Sequence, residues 1–183
     1  MKVSVLVPVY NLERFIEPCL ESLLTQQVNF DYEVIAIDDG SRDGSWAIMQ
    51  RLAERYPQLH ALQNPQNIGL AGTQKRLLGE AQGEYIAYVD GDDLALPGKL
   101  QTQADYLDAH PHCRLCYHEA DMFDDESGRT IKLFTREFYN FRYLRPVGDR
   151  ADLIRYGCFV NASAIMFRRH QRMVEAIDEG CKI

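Results

Sequence analysis

The segment Gly83-Glu-Tyr-Ile-Ala-Tyr-Val-Asp-Gly-Asp-Asp-Leu-Ala-Leu-Pro97 joins a short apolar run to three aspartates. Tyr85 to Val89 has the apolar, β-prone composition of a buried strand, and Asp90, Asp92 and Asp93 follow it directly. Carboxylates that lie close together raise one another's pKa and repel unless a cation lies among them. In open α/β sheets, ligands bind beyond the carboxyl ends of the strands. The segment therefore predicts a strand that ends at a site for Mg²⁺ or Mn²⁺, with a helix-capping acidic turn as the alternative.

Upstream of this segment, apolar strands alternate with amphipathic helices. Strands are predicted at residues 3–9, 33–37 and 59–62, and helices at 12–24, from Asp43 or Ser45 onward, at 70–81 and at 97–108. Asn11 is expected to cap the first helix. This alternation is typical of an α/β fold, here a three-layer α/β/α sandwich with a mostly parallel central sheet. The turns Tyr10-Asn11, Asp38-Asp39 and Asp90 to Asp93 are then expected to line one crevice at one edge of the sheet.

The pattern is less regular from Cys113 onward. Strands are predicted at 115–123, at 130–134 and at 162–167, the first two forming an antiparallel hairpin around Ser127-Gly128, and a helix is predicted at 169–179. The aromatic and basic stretch from Phe138 to Arg145 has no clean period, so it is predicted as a helix or as a loop that covers the site. No linker or repeat divides the sequence, which predicts a single domain over residues 1–183.

The composition bounds the class of protein. The chain has 183 residues, is 46% hydrophobic and carries a formal net charge of −7. This charge argues against a nucleic-acid partner bound by bulk electrostatics. There is no apolar run long enough to span a bilayer and no signal-peptide pattern, so a cytoplasmic location is expected, with peripheral association at the inner face of the membrane left open. The five cysteines are scattered, which predicts reduced thiols.

Two other kinds of site were weighed against the acidic turns. No Gly-rich phosphate loop follows the first strand, which disfavours a dinucleotide-binding or P-loop enzyme. The stretch His110-Pro-His112-Cys113-Arg-Leu-Cys116-Tyr-His118 contains a C-x-x-C pair flanked by histidines and is a zinc candidate. If Cys113 to His118 is a strand, however, side chains three residues apart point to opposite faces, which disfavours a shared metal ion.

The motifs and their order resemble family 2 glycosyltransferases of the GT-A, Rossmann-like nucleotide-diphospho-sugar transferase fold. The matching stretches are Pro8-Val9-Tyr10-Asn11, Ile37-Asp38-Asp39-Gly40-Ser41, Asn67-Ile68-Gly69, Ala81-Gln82-Gly83-Glu84-Tyr85-Ile86 and Asp90-Gly91-Asp92-Asp93, followed by Pro97. The resemblance covers most of the chain, and five ordered matches are far more specific than a lone D-x-D. It implies transfer of a sugar from a nucleotide-diphosphate donor, usually a UDP-sugar, with inversion, in the synthesis of a polysaccharide or glycoconjugate.

The resemblance also implies roles for individual residues. The expected ligands of Mg²⁺ or Mn²⁺ are Asp90, Asp92 and Asp93, with Asp92 the direct ligand. The expected nucleotide-binding residues are Pro8, Tyr10, Asn11, Asp38, Asp39, Asn67 and Arg76. Among these, Pro8, Tyr10 and Asp39 are expected to hold the base and ribose. The relatives often carry Ala-Arg-Asn where this chain has Thr73-Gln74-Lys75, so the cation that faces the phosphates is either Lys75 or Arg76.

The resemblance predicts that the two halves of the chain have different roles. Residues 1–110 are expected to form the nucleotide-sugar-binding half, and residues 111–183 part of the acceptor-side half, with the general base beyond Ile183. The expected partners are the nucleotide-sugar donor and a carbohydrate or lipid-linked acceptor. Two alternatives remain, a sugar-phosphate nucleotidyltransferase and a non-catalytic nucleotide-sugar-binding module.

Overall fold

A computed structural model describes residues 1–138, 147–156 and 160–177. The strands are β1 (Val3–Val9), β2 (Tyr32–Asp38), β3 (Leu59–Gln63), β4 (Tyr85–Tyr88), β5 (Leu115–Tyr117), β6 (Asp121–Phe123), β7 (Thr130–Leu133) and β8 (Ile165–Arg168). The α-helices are α1 (Ile16–Leu24), α2 (Ser45–Arg55), α3 (Gly69–Glu80), α4 (Lys99–Ala109) and α5 (Arg150–Tyr156). A π-helical turn lies at Phe134–Phe138, and 3₁₀ turns lie at Ala162–Ala164 and Val174–Ala176.

Within these residues, six strands form the main sheet in the order β3-β2-β1-β4-β8-β5. The pairs β3-β2, β2-β1 and β1-β4 are parallel, whereas β8 is antiparallel to both of its neighbours. The prediction of an α/β fold with a mostly parallel sheet is therefore confirmed. The predicted hairpin is also confirmed, because β6 and β7 pair antiparallel in a separate sheet.

The central strands are mostly apolar because both of their faces are covered, and two buried polar residues within them, Ser4 and Glu33, hydrogen-bond to each other. Alternate residues of β1 and β4, such as Val5 and Ala87, pack in one core with α1, α2 and α4. The intervening residues, such as Leu6 and Ile86, pack on the other face with Leu77 of α3. Side chains alternate between the faces of a strand, so a strand that is buried on both faces lacks the alternation of polar and apolar residues seen in a half-exposed strand. The three layers follow directly from this pattern.

Pro8 lacks a backbone N–H, but it is compatible with this sheet because no neighbouring strand needs that N–H. Its neighbour in register on β2 is Ile37. The backbone groups of the even-numbered residues of β1, such as Leu6, point the other way and hydrogen-bond to β4. The last of these bonds runs from the Val89 N–H to the Leu6 carbonyl oxygen. The missing N–H of Pro8 therefore falls where β4 has already ended, and β1 continues to Val9.

Several boundaries differ from the predictions, and three of these differences have a clear structural cause. Asn11 does not cap α1, since it adopts a left-handed conformation (φ 56°) and the helix begins only at Ile16. The fourth helix starts at Lys99, because Gly98 (φ 84°) interrupts helical geometry after Pro97. The predicted strand 115–123 is two strands, β5 and β6, separated at Glu119, whose carboxylate accepts the N–H groups of Ala120 and Thr135.

The predicted helix at 169–179 was also wrong for the described part of that range. Only the 3₁₀ turn Val174–Ala176 forms there, and none of its residues is buried. Helices in proteins are stabilised mainly by burying an apolar face, and Met173 is the residue of this segment that packs against the core beneath α3. Residues 139–145 of the Phe138 to Arg145 stretch lie outside the described residues, so the alternatives for it stay predictions.

Gly83 fixes the close approach of β4 to β1. An added Cβ would lie 2.4 Å from the backbone nitrogen of Ser4. We expect Gly83→Ala to lower the free energy of unfolding by about 1–3 kcal/mol, as for other overpacked sites, measured by urea denaturation. Gly79→Ala is the control, because no atom lies within 4 Å of its added Cβ and alanine favours a helix. A Gly83→Ala protein as stable as the wild type would contradict this account of the β1-β4 contact.

Candidate active site

Three loops meet at the carboxyl edge of the parallel strands. They follow β1, β2 and β4, as the sequence predicted. The Asp39 N–H donates to the Val9 carbonyl oxygen at 2.8 Å, and the Asn64 N–H donates to the Asp38 carbonyl oxygen at 2.8 Å. These backbone bonds extend the parallel pairing past the ends of the strands, so the polar residues that follow are held in a fixed arrangement.

Asp39 is buried and accepts hydrogen bonds through both oxygens. Its Oδ1 accepts from Asn64 Nδ2 at 2.7 Å and from the Ile68 N–H at 2.9 Å, and its Oδ2 accepts from the Gly69 N–H at 2.9 Å. Because α3 begins at Gly69, the carboxylate lies at the N-terminus of that helix, where negative charge is stabilised. Asp39 therefore ties the loop after β2 to the start of α3.

Asp38 is fully buried but is less completely satisfied. Its Oδ2 accepts from the Ser41 N–H at 3.2 Å and from Gln63 Nε2 at 2.9 Å. Its Oδ1 is buried without a hydrogen-bond partner among the described residues. A buried acceptor without a donor costs free energy, so the chemistry of this position fits a ligand that brings an N–H or O–H group.

The loop after β1 is braced against the loop after β2. Asn11 Oδ1 accepts from the Arg42 N–H at 2.9 Å, and the Asn11 N–H donates to Ser41 Oγ at 2.9 Å. Its left-handed backbone makes these two bonds possible, and Asn tolerates that conformation better than most residues. Beside it, Pro8 is buried, whereas Tyr10 is 44% exposed. An aromatic face is therefore presented to solvent at this edge.

The remaining predicted nucleotide-binding residues support the loops between β3 and α3. Arg76 donates to the Gln63 carbonyl oxygen at 2.8 Å and to Asn64 Oδ1 at 2.6 Å. Asn67 Oδ1 accepts from the Gly69 N–H at 3.1 Å. The predicted phosphate contact of Arg76 is not tested by these bonds, but they show that its guanidinium holds the turn after β3.

The acidic turn follows β4 and concentrates negative charge. Burial, then the neighbouring Asp93 and Asp92, raise the pKa of Asp90. Burial also raises the pKa of Asp93, although a hydrogen bond from Ser163 opposes the shift. Asp92 is exposed. The turn thus brings two half-buried carboxylates beside an exposed one, which is costly unless a cation compensates the charge.

Gly91 allows this turn to pack against β1 and the loop that follows it. An added Cβ would lie 2.9 Å from the Pro8 carbonyl oxygen and 2.8 Å from Leu12 Cδ1. The Asp90 carbonyl oxygen accepts from the Asp93 N–H at 3.0 Å and from Cys19 Sγ at 3.6 Å. The backbone of the turn is therefore set by β1 and α1, and the turn lies at the carboxyl edge of the parallel strands, where β2 ends at Asp38.

Ser163 completes this arrangement and was missed by the sequence analysis. The Asp90 N–H donates to its Oγ at 2.9 Å, and the same Oγ donates to Asp93 Oδ2. The serine precedes β8, which runs antiparallel to β4, so its amino end lies at the carboxyl edge of β4. The sequence carried no signal of this reversal, because a short apolar strand looks alike in both directions.

The family model described as "Glycosyl transferase family 2" matches residues 4–172. The chain belongs to glycosyl transferase family 2. This confirms the resemblance seen in the motifs around Asp38-Asp39 and Asp90 to Asp93, and the family's GT-A architecture accounts for the parallel sheet with its inserted antiparallel strand.

Two proteins of Bacillus subtilis are similar to this family 2 chain in sequence. EpsE of Bacillus subtilis, which carries the name of a glycosyltransferase, is 37% identical over 133 residues, or 72% of this chain and 48% of EpsE. The minor teichoic acid biosynthesis protein GgaB of Bacillus subtilis is 32% identical over 183 residues, or 98% of this chain and 19% of GgaB.

The fold is also similar to that of crystallised S. aureus TarS. The 1–349 segment of TarS has a TM-score of 0.72 at 25% identity, covering 100% of this chain and 52% of that segment. Its complex with UDP-GlcNAc has a TM-score of 0.69 at 26% identity, covering 92% of this chain and 46% of the TarS chain. The family 2 chain thus spans about half the length of EpsE and of the TarS segment.

The donor atoms of the acidic turn fit a hard divalent cation in chemical type, because carboxylate oxygens are the ligands that Mg²⁺ and Mn²⁺ prefer. In the part of the chain that the structure describes, no three His, Cys, Asp or Glu side chains are already arranged around a common metal position. The two observations are compatible if oxygens from outside the protein supply part of the coordination shell, as is usual for Mg²⁺. Metal binding by Asp90, Asp92 and Asp93 stays a prediction.

The C-x-x-C segment forms other contacts. Cys116 Sγ lies 3.7 Å from the Gln103 carbonyl oxygen to which it donates. His118 Nε2 lies 2.8 Å from Lys99 Nζ, and its Nδ1 lies 2.7 Å from the Glu119 carbonyl oxygen. Both ring nitrogens are thus engaged within the protein. Burial and the nearby ammonium of Lys99 lower the pKa of His118, which favours a neutral ring that accepts from Lys99.

Proposed function

We propose that this chain is the donor-binding part of an inverting, metal-dependent glycosyltransferase that uses a nucleotide-diphosphate sugar, a UDP-sugar, and an acceptor hydroxyl. The observation that carries the proposal is the convergence of Asp38, Tyr10 and the acidic turn at one edge of the sheet. One side of this edge can accept hydrogen bonds from a nucleoside, and the other concentrates the charge that a metal-diphosphate requires. The relation to TarS, which was crystallised with UDP-GlcNAc, supports a UDP-sugar donor.

The nucleoside is proposed to lie against the loops after β1 and β2. The exposed ring of Tyr10 offers a face on which a base can stack, and the unpaired Oδ1 of Asp38 can accept from a base N–H or a ribose hydroxyl. Pro8, Asn11, Asp39, Asn67 and Arg76 complete the proposed nucleotide-binding set. In this set Asp39, Asn11 and Arg76 hold the loops in place through the hydrogen bonds described above.

The diphosphate is proposed to lie at the acidic turn. Asp90, Asp92 and Asp93 would hold Mg²⁺ or Mn²⁺ there, and the exposed Asp92 is the proposed direct ligand. When bound, such an ion supplies Lewis-acid stabilisation of the charge that develops on the leaving diphosphate. The role of the three carboxylates is then to orient the donor, so they need not take part in proton transfer.

Inversion at the sugar requires a general base that accepts the proton of the acceptor hydroxyl. The expectation that this base lies beyond Ile183 stays a prediction, as does the division into halves at residues 110 and 111. The relation to GgaB, a minor teichoic acid biosynthesis protein, supports a role in polysaccharide or glycoconjugate synthesis. The proposed acceptor is a carbohydrate or a lipid-linked molecule. Among the described residues no helix is both long and apolar enough to cross a membrane, and peripheral attachment stays part of the proposal.

The test is calorimetric titration of the chain with UDP in the presence and absence of Mn²⁺. We expect Mn²⁺ to strengthen UDP binding, and Asp92→Ala to weaken binding in Mn²⁺ by at least about tenfold, because even indirect partners of metal ligands have effects of this size. Asp121→Ala, which removes an exposed carboxylate from β6, is the control and should bind UDP as the wild type does. UDP affinity that is indifferent both to Mn²⁺ and to Asp92→Ala would overturn the metal-diphosphate assignment.

Two alternatives predict other products. A sugar-phosphate nucleotidyltransferase would release pyrophosphate from a nucleoside triphosphate, whereas a glycosyltransferase releases UDP from a radiolabelled donor. A non-catalytic module would bind UDP-sugar tightly but leave the donor intact, even when supplied within a longer chain that contains the general base.

A further inference from the structure

Ser163 contacts both ends of the acidic turn through one hydroxyl group. Its Oγ accepts the Asp90 N–H at 2.9 Å and donates its proton to Asp93 Oδ2. A serine hydroxyl has a single proton to donate, so the direction of both bonds is fixed: the backbone donates to the serine, and the serine donates to the carboxylate. The side chain therefore couples the end of β4 to the position of the Asp93 carboxylate.

The segment that carries Ser163 is itself held rigidly by α4. Lys99 Nζ donates to the Ser163 carbonyl oxygen at 2.8 Å, and Gln103 Nε2 donates to the Ala164 carbonyl oxygen at 2.9 Å. Lys99 is 8% exposed and Gln103 is 4% exposed. Hydrogen bonds in such a low-dielectric environment are stronger than in water. The carbonyl groups of Ser163 and Ala164 are thus both held by side chains of α4, which restricts the backbone that carries the serine hydroxyl.

The other hydrogen bonds of the turn fix its backbone, and the Asp93 carboxylate also interacts electrostatically with the Lys99 ammonium. Cys19 bonds to the Asp90 carbonyl oxygen, and Gly91 packs against Pro8. Among the described residues, the hydrogen bond to the Asp93 carboxylate comes from Ser163. It engages Oδ2, so the rotation of the carboxylate is set while Oδ1 is left for another partner.

We propose that Ser163 is a positioning residue, which orients the Asp93 carboxylate and the Asp90 backbone for the divalent cation and diphosphate of the donor. This inference rests on the proposed function. It assigns a donor-site role to a residue that lies in the acceptor-side half, after the hairpin and immediately before β8. The two halves of the chain would then form one binding site.

The experiment measures UDP affinity by calorimetry, with and without Mn²⁺, for wild type, Ser163→Ala and Ser163→Thr. Ser163→Ala should weaken UDP binding in Mn²⁺ by about tenfold, the effect expected for losing a hydrogen bond to a charged group, and should change binding little without Mn²⁺. Ser163→Thr retains the hydroxyl and should recover most of the affinity. In an Asp93→Ala background, Ser163→Ala should have a smaller effect than in the wild type, because only its bond to the Asp90 N–H remains to be lost.

Ser127→Ala is the matched control. Ser127 Oγ donates to Asp124 Oδ1 at 2.6 Å and accepts the Arg129 N–H at 3.4 Å, which is the same pattern of bonds at the tip of the β6-β7 hairpin. It should leave UDP affinity unchanged. If Ser163→Ala does not fold, Ser163→Cys fills the same space with a weaker donor and reports on the same bond.

The outcomes separate this inference from the proposed function. A wild-type protein whose UDP affinity ignores Mn²⁺ would overturn both. Mn²⁺-dependent binding in the wild type that is retained in full by Ser163→Ala would overturn the positioning role alone. An equal loss of affinity with and without Mn²⁺ would also overturn it, because a general structural defect has no reason to depend on the cation.

Discussion

Replacing Asp39 by alanine is expected to lower the free energy of unfolding by about 2–4 kcal/mol, since a buried donor that loses its acceptor costs about 1–3 kcal/mol and the charge at the helix N-terminus adds to the loss. The carboxylate is 4% exposed and accepts from Asn64, Ile68 and Gly69. Its loss would leave the Ile68 N–H without this acceptor and would remove negative charge from the N-terminus of α3. Asn64 Nδ2 and the Gly69 N–H would each keep one other acceptor, Thr73 Oγ1 and Asn67 Oδ1. Urea denaturation monitored by circular dichroism measures the effect.

Asp43→Ala is the matched control for this prediction. Asp43 also accepts three hydrogen bonds, from the Glu13 N–H, the Ser45 N–H and Ser45 Oγ, but it is exposed. Water can replace the lost acceptor there, so we expect a loss of about 1 kcal/mol, similar to the loss of a capping side chain at a helix N-terminus. A loss for Asp39→Ala no larger than that for Asp43→Ala would show that burial does not set the cost.

This comparison bears on how the family motif is used in the chain. The resemblance assigns Asp39 to the base and ribose, yet both of its oxygens already bond to the protein. Asp38, its neighbour, has the unpaired buried oxygen. We therefore expect Asp39→Ala to act mainly on stability, and Asp38 to carry more of the direct recognition of the nucleoside.

The second large effect concerns Lys99 and depends on pH. Burial lowers the pKa of Lys99 from its ordinary value of 10.5 to about 8, although Cys116 and Asp93 partly oppose the shift. Between these two values the unfolded chain binds more protons than the folded chain, so stability contributed by this residue rises with pH. The maximum slope is about 1.4 kcal/mol per pH unit, which sums to ~3 kcal/mol over the interval.

The measurement is the difference in free energy of unfolding between wild type and Lys99→Met, at several pH values from 7 to 10. We expect this difference to shift in favour of the wild type as the pH rises above about 8, because the folded chain then no longer carries a buried ammonium. Titrations of groups that do not interact with Lys99 are common to both proteins and cancel. A difference that stays constant across this range would contradict the account.

Lys2→Met is the control with the opposite sign. Burial lowers the pKa of Lys2, but hydrogen bonds to Asp108 and Glu84 outweigh it, so the pKa lies above its usual range. The stabilisation from a raised lysine pKa is complete below the unfolded value and is lost only at higher pH. The difference between wild type and Lys2→Met should therefore remain flat from pH 7 to 10.

Local sequence predicted the parallel half of the fold because its signals there are strong and mutually consistent. β1 and β4 are apolar on both faces, and the turns after them contain residues that cannot continue a strand. Asp90, Asp92 and Asp93 marked the end of β4 for the same reason. The boundaries that failed depend on backbone conformation: Asn11 and Gly98 take positive φ angles that sequence composition does not specify.

The place of the candidate site could be predicted where the chain has an unusual cluster of residues, but not where it has an ordinary one. A run of aspartates at a strand end is chemically costly and stands out. Ser163 is a common residue in a short segment, and its importance follows only from the antiparallel placement of β8 beside β4. Lys99 likewise looks like any surface lysine at the start of a helix, and its burial follows from the packing of α4 against the end of β8.

The strand order β4-β8-β5 also determines when the sheet can be completed during synthesis. β5 leaves the ribosome well before β8, yet within the described residues its sheet partner is β8. The edge of β4 that faces away from β1 also stays unpaired until β8 has been synthesised. Until β8 emerges, the nascent chain exposes an unpaired edge beside a finished parallel core, and unpaired edges are where chains associate wrongly. The strand that brings Ser163 to the acidic turn is therefore also the one that closes the nascent sheet.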